Sequence, residues 1–178
     1  MLRALLIIVV ILAVGIAGVV AYAAATQPDT FRVERTATIS APPEKLVTIL
    51  SDLRRGAEWS PYEKKDPAMK KTFSGPASGP GARLEWDGNG DVGAGALTVA
   101  EVTPSKVTLD LEMIRPMSAR NKVEYTFAPR GNATNMTWAL YGPMPLISKV
   151  ICTFVDFDKM IGADMERGFQ DLKALAER

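Results

Sequence analysis

Proton transfer in this chain would fall to carboxylates, Lys, Arg or Tyr, because the sequence contains no histidine and one cysteine, Cys152. That composition excludes Ser-His-Asp and Cys-His nucleophile systems, His-ligated zinc, Cys-rich metal sites and any intramolecular disulfide. The groups available for acid/base work are Glu85, Asp87, Asp110, Glu112, Arg83, Arg115 and Tyr125. A buried carboxylate with a raised pKa would act as a general base on an enolising substrate. The spacing instead favours ion pairing: Arg83 and Glu85 lie two residues apart and share one face of a strand. No catalytic residue is assigned. Asp87, Asn89 and Asp91 alternate as calcium ligands do, but a calcium loop starting at Asp87 would want Gly and Glu where the chain has Val92 and Thr98. A hairpin turn accounts for these residues, so no metal and no cofactor is expected. Gly88, Gly90, Gly93 and Gly95 lack the following helix and the Lys-Ser/Thr of a phosphate loop, and read as turns and bulges. Cys152, among Val150, Ile151 and Phe154, reads as a small buried hydrophobe rather than a nucleophile.

Binding is better represented than catalysis. Trp59, Trp86 and Trp138 offer large apolar surfaces, each with one N–H to orient a ligand. In residues 106–114, Val107, Leu109, Leu111 and Met113 share one strand face, and Thr108, Asp110 and Glu112 share the other. Val123, Tyr125 and Phe127 form a second apolar row, and Met136, Trp138 and Leu140 a third. Methionines supply an adaptable lining suited to lipid-like molecules. The candidate ligand-binding residues are Trp59, Trp86, Leu109, Leu111, Met113, Tyr125, Met136, Trp138 and Met165. Ordinary core packing is the competing role for each of them.

These rows need a sheet and a cover. Residues 31–39 alternate apolar and polar as a half-buried strand does. Pro42 and Pro43 suit the first turn of a helix whose apolar positions, Leu46, Val47, Ile49, Leu50 and Leu53, run on to Gly56. The segment 59–62 breaks that helix. From Met69 to Tyr141 the pattern is β, in five or six short runs parted by turn residues such as Asp87-Gly88, Asn89-Gly90 and 130–132. Strands so spaced, without helices between them, form an antiparallel meander. Helix returns from about Ile147 and runs on from Asp158, a suitable N-cap. There Ile161, Met165, Phe169, Leu172 and Ala176 form one apolar stripe. A strongly curved sheet wrapped around this last helix satisfies every element and leaves a natural cavity between them. The expected class is α+β.

Charge and hydropathy divide the chain. In residues 1–25 only Arg3, Gly15 and Gly18 are not apolar, while 26–178 holds 20 basic and 20 acidic groups. Such balance leaves no electrostatic footprint for nucleic acid. The charge-free run 4–25 would extend about 33 Å as a helix, enough for a hydrocarbon core of ~30 Å. Residues 1–25 are therefore read as a single transmembrane anchor, with a cleavable signal sequence as the alternative, since Ala21-Tyr22-Ala23 and Ala23-Ala24-Ala25 fit a cleavage site. Residues 26–30 are a linker and 31–178 one domain. Arg3 on the short flank puts the N-terminus in the cytoplasm and the body outside the cytoplasmic membrane, periplasmic or extracellular.

Four segments resemble the START-like superfamily, in its polyketide cyclase/dehydrase and lipid-transport branch, also called SRPBCC. They are the opening strand with the helix start 41–46, the run 58–67 around Trp59 and Pro61, the run 86–95 from Trp86 to Gly95, and the helix 158–168 with Leu172 and Lys173. The resemblance covers the whole body. It implies a helix-grip fold, a curved antiparallel sheet around a long C-terminal helix, enclosing a hydrophobic ligand pocket. With the anchor, the resulting expectation is membrane-tethered binding or transport of a lipid or other hydrophobic small molecule without chemistry. A cyclase or dehydratase acting on a polyketide-like substrate through carboxylate and Arg or Tyr groups is the alternative. The two are separated by whether Glu85, Asp110 or Glu112 points into the pocket.

Overall fold

The computed structural model describes residues 2–178, the side chain of Ala4 excepted. Fourteen elements follow in chain order: α1 (Leu2–Thr26), β1 (Thr30–Ile39), α2 (Pro43–Ser51), a 3-10 turn (Leu53–Arg55), α3 (Gly56–Trp59), α4 (Pro61–Lys65), β2 (Lys70–Ser74), β3 (Arg83–Asp87), β4 (Ala94–Thr103), β5 (Lys106–Arg115), β6 (Ala119–Arg130), β7 (Ala133–Pro143), α5 (Leu146–Cys152) and α6 (Phe157–Ala176). They gather into two compact units, one holding the chain up to Phe31 with Pro143–Phe157, the other Arg32–Gly142 with Asp158–Arg178.

The second unit carries the sheet. Seven strands lie in the order β1-β7-β6-β5-β4-β3-β2, so sequence neighbours from β2 to β7 pair as an antiparallel meander and β1 closes beside β7. The alternation expected for β5 holds in part: Val107 and Leu109 are buried inward and Asp110 is exposed on the other face, but Thr108 of that outer row is buried as well. Gly131 at φ 59° makes the β6–β7 turn, in the left-handed region that favours glycine. The register between β4 and β5 slips at Gly95 and again after Val99, and such bulges increase local twist and curvature.

The concave face of this sheet is covered by α6, whose stripe Ile161, Met165, Phe169, Leu172 and Ala176 is buried along its whole length. Close approach needs small residues. A Cβ on Gly168 would stand 2.7 Å from the Trp138 ring and 3.1 Å from Pro61, so only glycine lets Trp138 and α4 reach the helix backbone there. At Gly162 the Arg35 guanidinium lies where a side chain would be. Arg35 reaches from β1 to Asp158 at 2.9 Å and Glu166 at 3.2 Å. Asp158 thus sits in the first turn of α6, with the helix beginning at Phe157, and pairs with Arg35; it was expected as the N-cap itself. Arg35, by hydrogen bonding to it, holds the Asp158 carboxyl below the usual aspartate range.

The first helical segment is shorter than its apolar spacing suggested. α2 stops at Ser51 because Asp52 turns extended and its carboxylate accepts from the Arg54 N–H, capping a separate 3-10 turn. Leu46, Ile49 and Leu50 are buried, and α2 packs against β4, β5 and β6. Pro61 starts α4, breaking the chain at Ser60.

In the first unit, α1 is apolar and its window Leu5–Thr26 is long enough to cross a bilayer. α5 packs against α1, and Lys149 reaches Asp29 at 2.7 Å.

Gly168→Ala gains about 1 kcal/mol of helix propensity but drives a methyl into Trp138 and Pro61, an overpacking cost of roughly 1–3 kcal/mol. Urea denaturation should show a net loss of stability, and a matched change at exposed Gly90, where a Cβ meets nothing within 4 Å, should show no comparable loss.

Candidate ligand-binding site

All nine candidate lining residues belong to the second unit, and the structure divides them into two groups. Trp59, Tyr125 and Trp138 form a mutually edge-on or tilted cluster, with ring centroids 5.5 Å apart for Trp59–Trp138, 5.6 Å for Tyr125–Trp138 and 6.2 Å for Trp59–Tyr125. Phe169 of α6 completes it at 6.0 Å from Trp138. Such arrangements place ring edges on ring faces and favour contact beyond the area they bury. Leu109, Met136 and Met165 are almost wholly buried beside them. This is the closed end of the concave face.

Trp86, Leu111 and Met113 are half-buried. Register brings them together. Gly95 pairs with Trp86 on one side and Met113 on the other, and Leu111 pairs with Leu97 and Asn121. The Trp86 ring lies over Gly95, where a Cβ would come within 2.7 Å of it. Its indole N–H donates to the Val92 carbonyl at 3.2 Å. The N–H that a sequence reading offers to a ligand is therefore already spent, and Trp86 contributes an apolar face.

Asn121 escaped the sequence reading. It continues the inward row Val123, Tyr125, Phe127 by one step of two, packs against Gly142 and has a buried Oδ1 with no hydrogen-bond partner. A buried acceptor without a partner costs about 1–3 kcal/mol, and Thr108 Oγ1 on the opposite parity of β5 is in the same state. The strand period was the available signal, since Asn121 has the same parity as Tyr125.

The carboxylates lie elsewhere. Glu85, Asp110 and Glu112 side chains are 54%, 51% and 41% exposed and pair with Arg83 at 3.0 Å, Lys122 at 2.6 Å and Arg83 at 3.3 Å. They occupy the convex face, opposite the apolar rows. Asp87 pairs with Arg115, also exposed. Asn89 Oδ1 accepts from the N–H groups of Asp91 and Val92, the local turn expected there. Cys152 is half-buried, and burial pushes its thiol up, away from the thiolate a nucleophile needs.

Sequence reasoning left one buried carboxylate among the polar positions of the last helix. Asp164 is 7% exposed; Oδ2 accepts from Lys65 at 2.7 Å and Oδ1 from Arg167. Lys65 and Arg167, with Pro61, Lys64, Gln170 and Asp171, line a cleft of about 240 Å³ between α4 and α6. Its cations are all paired: Lys65 and Arg167 share Asp164, and Lys64 meets Asp171 at 2.7 Å. Burial, and next the nearby Asp164 charge, push the Tyr62 phenol up to about 12. Burial raises Tyr125 as well. Both phenols are neutral donors at physiological pH.

Residues 30–177 match the family described as "Polyketide cyclase / dehydrase and lipid transport". The chain belongs to that family. Its fold recurs in solved structures: protein CV1439 from Chromobacterium violaceum (16% identity, TM-score 0.58, covering 85% of this chain and 99% of that one); the di-domain ARO/CYC StfQ from the steffimycin biosynthetic pathway (11%, 0.59, 83% and 51%); and major latex-like protein 151 from Panax ginseng (11%, 0.56, 84% and 99%). At these identities the likeness is one of fold. No curated protein matches the chain. The START-like, helix-grip expectation thus holds for this family member: a curved antiparallel sheet, a long C-terminal helix and an N-terminal apolar helix.

A phenol whose folded pKa is raised stabilises the fold below its ordinary pKa of 10 and loses that contribution as pH climbs towards 12. Urea midpoints measured from pH 8 to 11.5 should fall at the alkaline end, and Tyr62→Phe should flatten that fall.

Proposed function

We propose that this protein binds a lipid or other apolar small molecule on the concave face of its sheet, without chemistry, while α1 anchors it in the cytoplasmic membrane. The observation that supports the reading is the half-buried apolar row Trp86, Leu97, Leu111 and Met113 on the inward face, with Asn121 and its buried, unpartnered Oδ1 beside it. Apolar sites with a single convergent polar group orient amphipathic molecules by their one donor. The ligand class is a molecule with an apolar body and one hydroxyl or amide N–H. Trp59, Tyr125, Trp138, Leu109, Met136 and Met165 set the depth to which it reaches. On this reading the body stands on the periplasmic or extracellular side, and residues 1–25 serve as an uncleaved anchor.

A cyclase or dehydratase reading needs an acid or base at the ligand. The outward ion pairs of Glu85, Asp110 and Glu112 argue against it, as does the occupation of both Asp164 oxygens by cations. The family's breadth, with the cyclase StfQ among the fold's neighbours, makes the distinction worth a direct test.

Full-length protein purified from its native membrane should carry a co-purifying lipid-like molecule by mass spectrometry. Affinity for a fluorescent fatty-acid probe should fall at least tenfold, about 1.4 kcal/mol, in Met113→Arg. It should fall several-fold in Asn121→Ala and stay unchanged in Glu112→Gln. Equal binding by wild type and Met113→Arg, with folding verified by near-ultraviolet circular dichroism, overturns the proposal.

A further inference from the structure

Apolar surface in the first unit is not confined to α1. From Leu146 to Val155 the chain exposes four large apolar side chains: Leu146 (49%), Ile147 (58%), Phe154 (72%) and Val155 (40%). A soluble surface rarely groups such residues within ten positions, and contiguous exposed apolar patches mark contact with another phase or partner. Between Pro143 and Phe157 the charged residues are Lys149 and Asp156. Lys149 is turned inward, its side chain 11% exposed, and paired with Asp29.

Two ties fix where this segment lies along α1. The Met144 N–H donates to the Asp29 carbonyl at 2.7 Å, and Lys149 Nζ donates to Asp29 Oδ1 at 2.7 Å. The Lys149 side chain, by this hydrogen bond, holds the Asp29 carboxyl below its ordinary range. α5 packs against α1. Along α1, Leu5–Gly18 is exposed, Val19 and Val20 are half-buried and Ala23 is fully buried. Measured from Thr26, the end of the apolar window, Ala23 and Val19 lie about 4.5 Å and 10.5 Å towards the N-terminus at ~1.5 Å per residue. Amphipathic elements that rest in a bilayer surface bury their apolar side about 5–10 Å deep. The two depths coincide.

We infer that α5 and the turn after it, Leu146–Val155, form a second membrane contact, an interfacial element seated beside α1 with Leu146, Ile147, Phe154 and Val155 in the boundary between headgroups and acyl chains. This rests on α1 being a membrane anchor. The occupant of the patch is a bilayer, because the patch continues the surface of a helix whose own exposed residues are apolar. Tyr22, 59% exposed and one residue before Ala23, lies at the same level, as aromatic residues do at membrane interfaces. The ion pair Lys149–Asp29 locks the element at that depth.

The test uses full-length protein in nanodiscs of phosphatidylethanolamine and phosphatidylglycerol, in a Cys152→Ser background. Nitroxide labels are placed singly at Ile147→Cys and Phe154→Cys, with Ile11→Cys on α1 and Asn132→Cys on the β6–β7 turn as references. Collision with oxygen and with an aqueous nickel chelate reports depth. Ile147 and Phe154 should fall between the references, about 5–10 Å into the bilayer. Labels as water-exposed as Asn132, with Ile11 deep, overturn the inference and leave the anchor standing. Labels shielded from both reagents mean that protein covers the patch, and this too overturns it. A water-exposed Ile11 refutes the anchor reading itself.

Discussion

The aromatic contact of Trp138 with Trp59 and Phe169, edge-on, and with Tyr125, tilted, is the interaction on which the rest of the body depends. It joins three parts of the chain that no local preference would bring together: a one-turn helix, the central strands and the long C-terminal helix. Gly168 permits it by giving up its side chain to the ring. With that cluster closed, one end of the concave face becomes a packed floor. Away from the cluster, Trp86, Leu111 and Met113 are only half-buried.

Charge is sorted by the sheet rather than along the sequence. On β3, β5 and β6 the same strands that supply the apolar rows carry Arg83, Glu85, Asp110, Glu112, Arg120 and Lys122 on the outer face, where they pair within a strand (Arg83–Glu85), over β4 (Arg83–Glu112) or between β5 and β6 (Glu112–Arg120, Asp110–Lys122). Exposed pairs of this kind contribute little stability each. Their effect is to keep one face solvated and so to fix which face turns inward, because a one-residue slip of register would exchange the two.

Much of this was legible in the residues. The alternation in β5, the stripe of α6 and the turn residues between strands specify the elements, and the apolar parity of β5, β6 and β7 identifies the inward rows. What stayed hidden depends on contacts distant in sequence. Asp164 has the spacing of a solvated helix position, and becomes buried only because Lys65 and Tyr62 of α4 come against it. Asp158 resembles a cap until Arg35, arriving from the first strand, claims its carboxylate. The spare N–H of Trp86 is lost to Val92 through a loop whose path no periodicity describes. Asn121 lies in between: its parity was readable, while its lack of a partner required the fold.

The sheet is open, so it ends in two strands with unpaired backbone groups, β1 and β2. β2 is five residues long and begins with Lys70 and Lys71, and short, lysine-bearing edges resist the addition of a further strand. On the reading that α1 anchors the protein in a membrane, this carries particular weight. Copies diffusing in two dimensions meet far more often than the same number in free solution, and always side by side. An edge that repels strand pairing would keep the sheets of such crowded copies from joining along that border.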